Sequence, residues 1–110
     1  MGEGWTSLDD IRDRQEGLDI LPLVEEAVGR MHGARWEGSP IAHGDLRPPN
    51  LMWHRESKTI MIVDLEWSGK AGVRRYPARM SDAVSWHDSA KPGQVLLQEH
   101  DVHMLKKMYL

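Results

Sequence analysis

Two aspartates and an asparagine are spaced so that a single metal-assisted reaction could use all three. Asp45 and Asn50 lie five residues apart, and Asp64 follows fourteen residues later behind the apolar run Ile60-Met61-Ile62-Val63. A tight loop, a short hairpin and an Asp at the end of the far strand can bring these side chains to one edge. Asn50 and Asp64 offer two oxygen donors of the kind magnesium accepts, its other positions being kept for water and phosphate oxygens. Asp45 would then be free to orient an attacking hydroxyl and accept its proton. Arg47 could offer its guanidinium to the group in transfer. The chemistry is phosphoryl transfer to a hydroxyl. An isolated Asp-x4-Asn is more often a turn with a cap, and an Asp after a strand is more often a turn former. The ordered set, with His43 two residues before Asp45, is far more specific.

The elements that must position this set are legible in part. Ile20, Leu23, Val24, Ala27, Val28 and Met31 recur at helical spacing and predict a helix over 20–31. Asp19 is its expected N-cap, Pro22 falls in the first turn, and Gly33 supplies the stop. Residues 34–42 read as loop, and Pro48-Pro49 is expected to hold the motif backbone extended. Leu51-Met52-Trp53 and Thr59-Ile60-Met61-Ile62-Val63 read as two short strands joined by the polar turn Arg55-Glu56-Ser57-Lys58. Residues 1–17 read as a short helix or frayed polar arm ended by Gly17, 68–72 as flexible, and 73–94 as mostly loop. Leu96, Leu97, Val102, Leu105, Met108 and Tyr109 suggest a C-terminal helix.

Composition bounds the function classes. The chain has 110 residues, one domain or part of one, with 40% hydrophobic and 28% charged residues, enough apolar content for a core. Phe is absent, so Trp, Met and aliphatics must build that core. The formal charge is −3 and Lys and Arg are scattered, so no nucleic-acid surface is expected. Cys is absent, which excludes disulfides, thiolate metal sites and thiol catalysis and fits a reducing, intracellular and cytoplasmic setting. No signal peptide or membrane-spanning run is legible, and no membrane partner is expected. His100 and His103, at i and i+3, could hold zinc, but two ligands without a third read better as solvated helix histidines. His87-Asp88 and His100-Asp101 have the dipeptide of metal-dependent phosphohydrolases, an all-helical fold that the strands around 51–63 argue against. Ser39, Ser68 and Ser85 have no nucleophile-elbow context. Trp67, beside Asp64, is expected to line the substrate side.

The segments HGDLRPPN (His43–Asn50), IVDLEWSGKAGVRRYP (Ile62–Pro77) and EHDVHML (Glu99–Leu105) carry a resemblance. Over residues 20 to 108 the chain resembles the C-terminal lobe of the protein-kinase-like superfamily. It is closest to a fungal-type protein-kinase-like family and is similar to aminoglycoside and choline phosphotransferases. The resemblance implies an α+β fold, mainly helical, with a short β-hairpin carrying the site. It divides the chain into a polar arm at 1–19 and a partial kinase-like domain at 20–110, with the catalytic loop at 43–50 and the metal-binding segment at 64–67. It implies Asp45 as catalytic base, Arg47 where a phosphate-contacting Lys stands, and Asn50 and Asp64 as ligands of Mg2+ and ATP. Glu66 adds a carboxylate near the metal. His43 is expected to hold the loop by hydrogen bonds. Gly44, in place of the usual Arg, implies no switching by a phosphorylated activation loop.

The family's Gly-rich loop and nucleotide-binding Lys have no counterpart before His43. Phosphoryl transfer depends on positioning and charge stabilisation, so the chain alone is expected to turn over poorly or not at all. The function implied is an ATP- and magnesium-dependent phosphotransferase domain fragment acting on a hydroxyl of a protein or small molecule. The alternative is a catalytically dead remnant serving as a binding module, with self-association through its exposed lobe surface.

Overall fold

The structure, a computed structural model, describes residues 4–108. In chain order its elements are β1 (Trp5–Ser7), a 3-10 turn (Leu8–Asp10), α1 (Arg14–Gly33), β2 (Arg35–Trp36), β3 (Ser39–Ala42), a second 3-10 turn (Pro48–Asn50), β4 (Leu51–His54), β5 (Thr59–Ile62), β6 (Gly69–Lys70) and α2 (Gln98–Lys107). The fold is α+β, with two three-stranded antiparallel sheets in the orders β1-β4-β5 and β2-β3-β6.

The long helix begins earlier than its apolar stripe. Asp13 caps α1, its carboxylate accepting the N–H groups of Gln15 at 2.9 Å and Glu16 at 3.3 Å. Asp19 therefore lies inside the helix, where it accepts from Gln15 Nε2 at 2.8 Å, and Gly17 ends nothing. Pro22 is also interior. It leaves the Leu18 carbonyl without a helical donor, but Pro22 and Leu18 are both exposed, so water can serve that carbonyl. The guanidinium of Arg55 pairs with Glu16 and ties the first turn of α1 to the β4–β5 turn, holding the Glu16 carboxyl below its ordinary range.

The apolar stripe does what its spacing predicts. Ile20, Val24 and Val28 pack with Leu46, Leu51, Trp53, Met104 and Leu105 in the main core. A smaller core holds Ala42, Tyr76, Ala90 and Leu96. Among the described residues, no helix is long and apolar enough to cross a membrane.

Four local expectations are corrected. The polar N-terminal segment is not an arm: Thr6 pairs with Trp53, and Ser7 Oγ donates to the Pro48 carbonyl at 3.3 Å, so β1 buttresses the motif loop. Residues 35–42 are a hairpin, β2 and β3, turned by Glu37 (φ 51°) and Gly38 (φ 81°). Positive φ at both central positions is the hairpin-favoured turn, and Glu in the first of them gave no sequence signal. Pro48-Pro49 opens a 3-10 turn rather than an extended stretch, since Pro tolerates the first helical positions. Gly69-Lys70, expected to be flexible, is the edge strand β6 against β3. Residues 73–94 are irregular as expected, joined to the rest by the Arg75–Val95 bridge. Met1–Glu3 of the N-terminal segment and Tyr109 of the C-terminal helix lie outside the described residues.

Candidate functional site

Hydrogen bonds from His43 gather the motif. Its Nδ1 accepts the Asp45 N–H at 3.0 Å, so the ring proton sits on Nε2, which donates to the Val63 carbonyl at 3.0 Å. The β4–β5 pairing runs on into the site, with the Val63 N–H donating to the Asn50 carbonyl at 2.9 Å. Asp64 is the next residue. Asn50 Nδ2 in turn donates to the Asp45 backbone carbonyl at 2.7 Å and to its carboxylate Oδ2 at 3.3 Å. His43, Asp45 and Asn50 are buried; Asp64 and Glu66 are exposed. The motif loop and the turn after β5 are thus one network.

Asp45 is not free in this state. Arg47 Nε donates to its Oδ1 at 2.7 Å, and Arg47 Nη2 lies 3.4 Å from Oδ2. This differs from the expectation of an open carboxylate. Among the described residues the Arg47 guanidinium pairs with no other carboxylate, and it closes on Asp45 two residues away.

Asp64 has φ 56°, a conformation that strains most side chains and is better tolerated by Asp and Asn. It turns the chain out of β5 into a tight turn, where Ser68 N–H and Oγ–H both donate to the Leu65 carbonyl. Among the described residues, the carboxylates of Asp64 and Glu66 have no hydrogen-bond or ion-pair partner. Among the described residues Trp53 Nε1 is the one fully buried side-chain polar atom without a partner; Asn50 Oδ1 accepts no hydrogen bond from them. Among the described residues, no three His, Cys, Asp or Glu side chains are placed to hold a metal ion together. Asn50 Oδ1 and the Asp64 carboxylate are hard oxygen donors, the type of ligand that magnesium accepts.

Sequence reasoning missed the residue that holds the loop from below. Asp101 on α2, 1% exposed, accepts the N–H of His43 at 2.7 Å and of Gly44 at 3.0 Å, and pairs with His32 Nε2 at 2.8 Å. The available signal was an acidic residue inside the stripe Leu97, Asp101, Met104, Leu105. His100, expected to be solvated, is 2% exposed on the same stripe. Its Nδ1 meets Tyr76 Oη at 2.9 Å and accepts the Leu97 N–H at 3.3 Å. Burial, then the Asp101 and Asp45 carboxylates, push the Tyr76 phenol up. Trp67 packs in a T-shape on Tyr76 and against Trp86, at centroid distances of 6.2 and 5.8 Å.

Gly44 has φ +90°, and a Cβ there would lie 3.0 Å from Leu96 Cδ2 and 3.4 Å from Trp67 Cβ. Gly44→Ala is therefore expected to destabilise the chain by about 1–3 kcal/mol, read as a lower urea midpoint with an unchanged slope.

Two grooves flank the motif. One of about 520 Å³ is mainly apolar and lies between α1, β3, β5 and β6, with Trp36 and Leu65 exposed on it. The other, of about 380 Å³, runs between Arg47-Pro48-Pro49 and residues Ala83-Val84-Ser85. Site and fold together define a small α+β domain whose hairpin presents an Asp/Asn/Asp set. No protein-family model, curated protein or solved structure matched the chain.

Proposed function

We propose that this chain is the C-terminal lobe of a protein-kinase-like phosphotransferase, carrying the metal-binding and hydroxyl-orienting half of its site. The observation that carries the reading is the His43–Val63 hydrogen bond with its neighbours, which ties the Asp45 and Asn50 loop to the residue before Asp64. Such a bond has value where a loop and a strand end must hold one geometry for a shared ligand.

Asn50 Oδ1 and the Asp64 carboxylate would hold Mg2+ with ATP, and Glu66 stands two residues further on the same turn. The metal, when bound, neutralises charge on the phosphate oxygens. Asp45 orients the acceptor hydroxyl and takes its proton. Arg47 leaves Asp45 for the transferring γ-phosphoryl group, a move that its partly exposed side chain permits. Asp45 is freed by the same move.

The Arg47–Asp45 ion pair favours a second reading, a kinase-like binding module without turnover. The exposed Trp36 and Leu65 beside the apolar groove would then serve a protein partner or a second copy. Calorimetric titration with ATP, with and without magnesium, separates the readings. Magnesium-dependent binding lost in Asp64→Asn supports a competent half-site, and the absence of binding at millimolar ATP sinks it.

A further inference from the structure

Residues 81–90 have no regular structure, yet Val84 and Trp86 pack against the core, Trp86 on both clusters. Apart from the turn bond from the Lys91 N–H to the Ser89 carbonyl, the polar ties of this segment to the rest of the described chain all involve histidine. His100 Nε2 meets Ser89 Oγ at 2.6 Å, His103 Nε2 meets the Ser85 carbonyl at 3.3 Å, and His87 Nε2 lies 3.7 Å from the Glu99 carboxylate.

Partners fix the protons. His100 Nδ1 accepts the Leu97 N–H, so Nε2 carries hydrogen and donates to Ser89 Oγ. Ser89 Oγ–H then donates to His87 Nδ1 at 3.1 Å, which also accepts the Ser89 N–H at 3.1 Å. The relay runs one way, from His100 through Ser89 to His87, and both Nδ1 atoms must be bare. A proton added to either sets N–H against a backbone N–H. The rings crowd as well, His87 lying 4.8 Å from His100 and 5.3 Å from His103 by centroid.

We propose that His87, Ser89 and His100 form a pH-operated latch that holds residues 81–90 against α2 while the His100 imidazole is neutral and releases them when that ring takes a proton. Charged groups face the latch from every side. Glu99 and Asp101 on α2 favour an imidazolium, while His103 opposes it. Tyr76 from the segment before the loop contacts His100, Asp45 of the motif loop acts on Tyr76, and His32 of α1 is paired to Asp101. Burial is the largest influence on His100 and His87 the next, and together they hold it below the ordinary 6.5.

The sign follows from that direction. With the segment released, His100 takes a proton at its ordinary value, while in the latched state it resists. Latching is therefore at full strength above that value and weakens as pH falls below it, by up to about tenfold per pH unit through His100. Ala83, Val84 and Ser85 wall the groove beside Arg47, so release opens that groove.

Hydrogen exchange of the full chain at about pH 7.5 and about pH 5.5, corrected for intrinsic rates, tests the latch without nucleotide. Opening at the Trp86, Ala90 and Lys91 amides should rise by up to about tenfold at the lower pH, while Val24 and Val28 in α1 stay protected. His87→Gln, which keeps an acceptor for Ser89 but removes the neighbouring ring that opposes a charged His100, should flatten that response. Equal loop protection at both pH values overturns the latch, as does loss of the loop and α1 together. So does a His87→Gln response as steep as the parent's.

Discussion

Asp101→Ala is expected to remove about 2–5 kcal/mol of folding stability, the cost of leaving two buried backbone N–H groups without the carboxylate that accepts them. The carboxylate is almost wholly buried, and three donors converge on it from two other parts of the chain. Alanine would leave the His43 and Gly44 N–H groups without an acceptor in a dry site, and unmade buried hydrogen bonds carry the full desolvation penalty. A domain of this size has about 5–15 kcal/mol in total, so the variant stands near its unfolding threshold. Asp101→Asn should fall between, because its amide NH2 would face one of those donors. The exposed Asp82→Ala is the control, expected within about 0.5 kcal/mol of the parent. Urea denaturation followed by Trp fluorescence reads all three. A loss under about 1 kcal/mol in Asp101→Ala would mean that the loop is held by its own turns rather than by α2.

Asp64→Asn should weaken magnesium-dependent ATP binding by about 10- to 100-fold, the range seen when a metal site loses a supporting group, with stability almost unchanged. Two features of Asp64 make this clean. Its carboxylate has no partner among the described residues, so no native contact is lost. Its φ of 56° suits Asn as well as Asp, so the charge is removed without new backbone strain. Asp64→Ala would mix the two effects. Asn50 remains in the variant, but a neutral amide alone is a poor ligand for a hard dication. Binding in the variant equal to the parent's would place the metal elsewhere.

The motif was legible because its chemistry is local: a carboxylate and an amide five residues apart, then a second carboxylate behind a short apolar hairpin. The registers Leu51–Ile62 and Trp53–Ile60 are what the apolar pattern and the turn Arg55–Lys58 require. The α1 stripe was legible for the same reason. Its start was not, because Asp13 and Asp19 are equally good caps in composition and Pro22 weighed toward the later one. Pro22 is carried inside the helix because the buried stripe on either side of it packs into the core, so tertiary packing overrides a local propensity. The β2–β3 hairpin was hidden by Glu37 in a left-handed position that sequence rules reserve for Gly, Asn or Asp. Asp101 and His100 were hidden by a different cause. Polar residues on a buried stripe look like a break in the stripe until their partners are known, and those partners lie in the loops at 43–44 and 76–89. Long-range polar contacts of this kind carry no periodicity.

The central claim is that Asp45, Asn50 and Asp64 belong to one magnesium–nucleotide half-site. Its most direct test is paramagnetic: manganese is added in place of magnesium to the isotope-labelled chain with ATP, and amide signals are followed residue by residue. The account predicts that Asn50, Val63 and Asp64 broaden first, with Asp45 and Arg47 close behind and Lys58 at the far end of β5 unaffected. Broadening centred on His87 and His103, or none that distinguishes Asp64 from Lys58, would contradict it.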